Sequence, residues 1–271
     1  MKIKILTDNK AKEGFKGEWG LSVYIEHKGK HLLLDTGASP LFSVNAEKCG
    51  IDLSEVDLAF LSHAHYDHSN GFGEFFKINK KAPLYLNSCC KENCYGKRWI
   101  FSKYIGIKKG YAERFKDRLV YTDGFTEIEE GIYLLPHGEG DFSDYGRKNG
   151  LFQKNGRKWS YDSFNHEQSL VIKTDKGLVI FNSCCHTGAD NIIKEVSEAF
   201  KGEKILTLIG GFHLYKSNDG EVVALAKRIE QTGIKRIYTG HCTGDKAFAI
   251  LRKHLGEKAQ ELYAGMEIEI E

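Results

Sequence analysis

Between positions 61 and 68 the chain reads Leu-Ser-His-Ala-His-Tyr-Asp-His, placing His63, His65, Asp67 and His68 directly after the apolar segment 56–61. Three imidazoles and a carboxylate so close together need a common partner, because buried polar groups left unpaired are costly. A divalent metal is the simplest one. Imidazole suits zinc, copper, iron and nickel, and a carboxylate alongside argues against a thiolate-rich structural site. Val-Asp-Leu-Ala-Phe-Leu reads as a short buried strand. His-x-His on extended backbone sends both rings to one side. Asp67 and His68 then lie in the turn, and Ser-Asn-Gly at 69–71 opens a helix or continues the loop. Two ligand groups can thus face two neighbouring positions, and metals roughly 3.5–4 Å apart can activate a bridging hydroxide.

The six residues match the His-x-His-x-Asp-His signature, and the chain resembles the metallo-β-lactamase superfamily. Upstream, Gly-Lys-His-Leu-Leu-Leu precedes Asp35-Thr36-Gly37. Downstream come Asn182-Ser-Cys-Cys-His186-Thr-Gly, Gly210-Gly211-Phe-His213-Leu and Thr239-Gly240-His241-Cys242-Thr-Gly. These three are similar to the branch that holds the archaeal 7,8-dihydropterin-6-methyl-4-(β-D-ribofuranosyl)aminobenzene-5′-phosphate synthase and many bacterial metal-dependent hydrolases. The resemblance extends from Leu6-Thr-Asp8-Asn9 to His241. It implies an α/β (α+β) fold, an αββα sandwich of two mixed β-sheets flanked by helices, with the metal site where strand ends converge at one edge.

The resemblance also implies a ligand set: His63, His65, Asp67, His68, His186 and His241, with His241 joining Asp67 and His68 on a second metal. The chain departs from the broad pattern in two places. Asn165-His166-Glu167-Gln168 stands where most members carry His-Thr-x-Gly-His. Cys184 falls where a bridging Asp is usual, which makes it either a softer bridge or ordinary buried packing. His213 is expected at the mouth of the site, contacting substrate or relaying a proton. Asp67 can pass a proton to the leaving group. Asp35, and Asp8 with Asn9, are expected to hydrogen-bond ligand imidazoles. The implied cofactor is two zinc ions, with manganese or iron as alternatives.

The 271 residues, 41% of them hydrophobic, suffice for one large α/β domain spanning 1–271. No apolar run approaches the roughly 18–20 residues of a membrane span. The N-terminus reads as a first strand and not as a signal peptide. Seven cysteines, an odd number, fit a reducing cytoplasm better than a disulfide framework. Strands are expected near 2–8, 20–26, 31–35, 56–61, 83–87, 131–135, 168–173, 177–182, 204–209, 235–239 and 263–270. Helices are expected near 41–49, 190–200, 220–231 and 245–255, the third burying Val222, Val223, Ala226 and Ile229.

The stretch 89–118 reads as a basic, aromatic insertion roofing the site, carrying Lys97, Arg98, Trp99, Phe101, Lys103, Tyr104, Lys108, Lys109, Tyr111 and Arg114. The alternative is a solvated helical surface. Positions 145–162 suggest another wall. Cys89-Cys90-x-x-x-Cys94 lacks a matching distal pair and makes a poor zinc motif. Basic and aromatic walls suit a small, planar, anionic substrate. The net charge of +2 does not call for nucleic acid, and nothing selects an oligomeric state. Three functions follow: a hydrolase using metal-activated hydroxide on a small anionic ester, lactone or phosphodiester; a pterin-type synthase forming a C–N bond with pyrophosphate release; and a non-catalytic metal-binding protein.

Overall fold

The computed structural model describes residues 1–98, 101–137 and 140–270. One seven-stranded sheet runs in the order Glu267–Glu269, Lys2–Thr7, Ser22–His27, Lys30–Leu34, Leu58–Phe60, Leu84–Asn87 and Leu119–Thr122. Its first three pairings are antiparallel and its last three parallel. The other seven-stranded sheet runs Ala259–Glu261, Arg236–Thr239, Ile205–Ile209, Gly177–Phe181, Gln168–Thr174, Ile132–Pro136 and Thr126–Glu129. There the parallel pairings come first and the antiparallel ones last.

Side-chain alternation along the strands decides which way each face looks. Leu32 and Leu34 enter the core between the sheets, while Leu33 packs outward with helical residues. Val179 and Phe181 likewise face the central core, and Leu178 and Ile180 face out. The central core joins Ile3, Ile5, Val23 and Phe60 to Leu134, Leu170 and Ile209. Helices Leu41–Lys48 and Phe72–Ile78 cover the first sheet through Phe42, Ala46, Phe72 and Phe75. Helices Ala189–Ala199, Asp219–Gln231 and Asp245–Leu255 cover the second through Ile192, Val196, Ile229 and Leu251. This is an αββα sandwich. No helix among the described residues is long and apolar enough to cross a membrane.

Three local readings change. Helix Asp219–Gln231 starts at a capping box between Asn218 and Glu221. That start rotates Leu225 into the core with Val222, Ala226 and Ile229 and leaves Val223 half-buried. The strand expected at 263–270 is confined to Glu267–Glu269, and an unexpected strand, Ala259–Glu261, precedes it in the other sheet. Gly265, at φ +87°, lets the chain cross between them. The stretch 89–118 is not a helical surface: only Tyr111–Arg114 forms an α-helical turn. Cys94–Arg98 and Phe101–Tyr104 join Leu151–Asn155 and Lys158–Tyr161 in an antiparallel four-stranded sheet. Aromatic pairs knit it together, with Tyr95 against Trp159 and Tyr104. Trp99 and the side chain of Arg98 lie outside the described residues.

The sandwich brings its strand ends together at one edge through glycine. A Cβ on Gly210 (φ +149°) would lie 1.7 Å from the Asn182 carbonyl oxygen, and one on Gly211 would lie 2.5 Å from Cys242 Sγ. Those contacts are backbone and buried sulfur, which cannot swing aside. Gly210→Ala is therefore expected to cost roughly 3 kcal/mol, the upper end of overpacking penalties, read as a lower urea midpoint. An unchanged midpoint would show that this edge has slack.

Candidate metal centre

The strand Leu58–Phe60 runs into Leu61 and Ser62, which the second sheet clamps: Gln168 donates its amide to the Ser62 carbonyl at 2.9 Å and its Nε2 to the Leu61 carbonyl at 2.9 Å. His63 and His65 follow, and Tyr66–Ser69 then turns helically and brings Asp67 and His68 back to the same edge. His186 arrives after Gly177–Phe181, His213 after Ile205–Ile209 and His241 after Arg236–Thr239. All six histidines and Asp67 are buried. The ring of His63 lies 4.7 Å from that of His65, 4.3 Å from His68 and 4.9 Å from His186. His68 lies 5.1 Å from His241, and His186 4.4 Å from His213.

Asp35 organises the first group. Its Oδ1 accepts the Ser62 amide at 2.8 Å, and its Oδ2 accepts Ser62 Oγ at 2.6 Å and His68 Nδ1 at 2.8 Å. Because Ser62 gives its proton to Asp35, its oxygen is free to accept His63 Nδ1–H at 2.9 Å. His241 is fixed in the same sense, with Nδ1 on Asn9 Oδ1 at 3.0 Å while Asn9 Nδ2 donates to the His241 carbonyl at 3.0 Å. In all three rings Nδ1 faces an acceptor, so Nε2 is the nitrogen that carries the lone pair whenever the ring is neutral. Asp8 lies beside this pair, its Oδ1 accepting the Lys10 amide at 3.0 Å, and burial pushes its carboxyl up to about 7.

The free nitrogens converge. His63 Nε2, His241 Nε2 and both ring nitrogens of His186 and His213 have no hydrogen-bond partner among the described residues. Asp67 Oδ2 stands 3.6 Å from His241 Nε2 and 3.9 Å from His68 Nε2. Cys184 Sγ stands 3.3 Å from His68 Nε2 and 3.4 Å from Cys242 Sγ. Its sulfur also clusters within 4.8 Å of donors from His186 and His213, so it lies between the two ligand groups. Burial pushes the His63 and His186 rings below the ordinary histidine range, with neighbouring imidazoles adding to it. Burial opposes the charge of Asp67, yet His68 and His241 hold its carboxyl well below the usual range. His241 moves the other way: burial works against its charge, but Cys242 and Asp67 raise it to about 9.

Backbone strain gathers here too. Asp35, Cys185, His213 and His241 all adopt φ between +47° and +58°, a left-handed conformation uncommon outside glycine. Glu167 braces the His186 turn, its carboxylate accepting the His186 amide at 2.8 Å, the Thr187 amide at 3.0 Å and Thr187 Oγ1 at 2.8 Å. His166 is not in the ring cluster that faces the cavity; it sits behind His65 with Asp162 and Cys94. The cysteines at 89–94 do not assemble: Cys89 lines another pocket, Cys90 turns to the His166 carbonyl, and Cys94 to its ring. Sequence reasoning passed over Ser62, Asp162, Glu167 and Cys242. Ser62, Glu167 and Cys242 lie inside runs that were already visible, whereas Asp162 only closes the 145–162 wall, with no ligand spacing to mark it.

The centre opens into a cavity of about 430 Å³. Lys97, Phe101 and Lys103 come to its wall from the four-stranded sheet, and Trp19, Tyr215 and Lys216 from the opposite side. Lys97 Nζ lies 3.4 Å from the centroid of Trp159.

Residues 20–146 match the Metallo-beta-lactamase superfamily. The chain is 29% identical to the 7,8-dihydropterin-6-methyl-4-(beta-D-ribofuranosyl)-aminobenzene-5'-phosphate synthase of Methanocaldococcus jannaschii, over 93% of this chain and 90% of that protein. It is 30% identical to Tm1679, described as a metal-dependent hydrolase of the beta-lactamase superfamily, with a TM-score of 0.84 over 100% of this chain and 99% of that one. Zinc-bound PqqB from Methylobacterium extorquens, at 10% identity and a TM-score of 0.56 over 100% of both chains, shares the fold. With the sandwich and the histidine-lined edge, these likenesses establish that the chain belongs to the metallo-β-lactamase superfamily.

Proposed function

We propose that this protein is a metal-dependent hydrolase acting on a small anionic ester, lactone or phosphodiester. The observation that carries the reading is the convergence of unpartnered ring nitrogens on one buried edge, with His63, His68 and His241 each fixed by Nδ1 so that Nε2 faces the centre. That donor set fits divalent ions. His63, His65 and His186 would hold one ion and Asp67, His68 and His241 a second, with the Cys184 thiol within reach of both sets. Mixed nitrogen, oxygen and sulfur donors favour zinc over harder ions, with manganese or iron as alternatives. Ions bound there would polarise a carbonyl or phosphoryl oxygen and bring the pKa of a water to about 7.

The chain's own groups supply the remainder. Asp67 would accept a proton and pass it to the leaving group. His213, with both ring nitrogens unpartnered, reaches into the cavity to meet developing charge or donate a proton. Lys97, Lys103 and Lys216 draw an anion inward, and Trp19, Phe101 and Tyr215 offer flat apolar contact. The likeness to Tm1679 supports hydrolysis. The second reading, a synthase that forms a C–N bond and releases pyrophosphate, is favoured by the Methanocaldococcus relative; the same lysines suit a pyrophosphate. Seven free thiols fit the cytoplasm.

Single substitutions His63→Ala, His186→Ala and His241→Ala are each expected to lower bound metal measured by elemental analysis; full occupancy of both positions in His186→Ala would refute that assignment. A panel of phosphodiesters, esters and lactones with zinc, manganese and iron should show turnover. Silence with every metal, together with pyrophosphate release from a pterin pyrophosphate and an arylamine, would decide for the synthase. Metal affinity should also depend on pH in a defined direction. With its folded pKa raised from 6.5 to about 9, His241 stabilises the metal-free fold fully below 6.5 and loses that contribution as pH rises through about 9. The metal must displace this proton, so zinc affinity from competition titrations should climb between those two values. A flat profile there would show that His241 is not a ligand.

A further inference from the structure

We infer that Asp162 is a positioning residue for this centre, taking the Nε2–H of His65 and thereby presenting Nδ1 of that ring to the first metal position. The inference rests on the metal-centre reading above. On the buried side of His65 stand Cys94, Asp162 and His166, with donor atoms mutually within 4.8 Å. Cys94 Sγ is 3.7 Å from His166 Nε2, His166 Nε2 is 3.3 Å from Asp162 Oδ2, and His65 Nε2 is 3.9 Å from the same oxygen. By residue type and spacing these four groups resemble a further zinc site, since ligand bonds of about 2.0–2.3 Å give similar separations.

The tautomer of His166 argues otherwise. The Ala64 amide points at His166 Nδ1 from 3.2 Å, and an amide can only donate. Nδ1 therefore carries the lone pair and Nε2 carries the proton, directed at Asp162. A ring bound to metal through Nε2 would need its proton on Nδ1, where it would meet the Ala64 N–H head-on. Cys94 stays a thiol as well: burial pushes it up, and it donates to Asn93 Oδ1 at 3.8 Å. The cluster holds protons, not an ion.

Asp162 is then the one anion in the group. Its Oδ1 accepts Gln153 Nε2 at 2.9 Å and the Phe164 amide at 2.8 Å. Its Oδ2 accepts His166 and has room for one more donor. His65 Nε2 is buried, unpartnered and aimed at it. A ring shift of about 1 Å closes that gap to an ordinary hydrogen bond. Nδ1 of His65 is the nitrogen left to join His63 and His186, whose rings lie 4.7 and 5.0 Å away. His63 and His68 are held by Nδ1 and offer Nε2; His65 is held by Nε2 and offers Nδ1. Asp162 thus does for His65 what Asp35 does for the other two. Gln153 and Cys94 lie on strands of the four-stranded sheet and Asp162 directly follows its last strand, so the wall of the cavity also sets a ligand.

The test is zinc competition titration of the full-length protein, with long-range proton–nitrogen spectra of its zinc-loaded form. Asp162→Ala is expected to weaken zinc binding roughly 10–100-fold, as loss of such outer partners does, and Asp162→Glu to recover part of it. In the unsubstituted zinc protein His65 should be metallated at Nδ1 and protonated at Nε2, and His166 protonated at Nε2. The spectra decide the matter even if Asp162→Ala fails to fold. Zinc affinity in Asp162→Ala within twofold of the original, His65 metallated at Nε2, or loss of one zinc in Cys94→Ala would each overturn the inference. If His63→Ala also kept all its zinc, the metal-centre reading itself would fall; if only Asp162→Ala did, that reading would stand.

Discussion

The Asp35 carboxylate is the contact on which the site depends. It ends one strand of the first sheet, reaches the end of the next strand through Ser62, and orients His68 directly and His63 through the Ser62 hydroxyl. One buried anion thereby fixes both the sheet edge and the tautomers of two rings. Charge-assisted hydrogen bonds of this kind are stronger than neutral ones. Removing one partner of a buried pair typically costs about 3–5 kcal/mol because the other is left stranded. The left-handed backbone of Asp35 shows that the turn is shaped to deliver this carboxylate.

The remaining candidate ligands follow the same logic from the second sheet. Three of its four parallel strands end beside the first sheet's edge, and each of those ends carries one histidine on a tight turn. Gly210 and Gly211 let those turns approach to backbone contact. Burial and mutual repulsion both disfavour imidazolium at His63 and His186, which lets those two rings lie close. His241 is the exception, since Asp67 and Cys242 stand against it. The centre is thus asymmetric, with nitrogen donors on one side and a carboxylate and sulfur on the other.

Much of this was legible in the sequence. The histidine motif and the strand-end histidines were visible because each combines a short apolar run with an abrupt polar turn, and the αββα order was implied by the resemblance those motifs carry. What escaped detection depended on pairings distant in sequence. The four-stranded sheet joins 94–104 to 151–161, and neither half has a hydrophobic face that period-two reading would detect, since its side chains are basic and aromatic. Helix Phe72–Ile78 follows Ser-Asn-Gly at 69–71, a run that reads equally as a helix start or as continuing loop. Asp162 has no motif around it; its place beside His65 comes from the chain folding back through that sheet.

The four left-handed residues at the centre have a consequence for how the protein is made. Each such conformation costs on the order of 1–3 kcal/mol, and together they load one edge of an otherwise well-packed sandwich. The edge is therefore where backbone strain is concentrated. A ligand that binds only the folded form offsets that cost by mass action, by about 4 kcal/mol at a thousand times its dissociation constant. Any ligand held between these turns would therefore tighten the whole edge, far beyond the few atoms it touches.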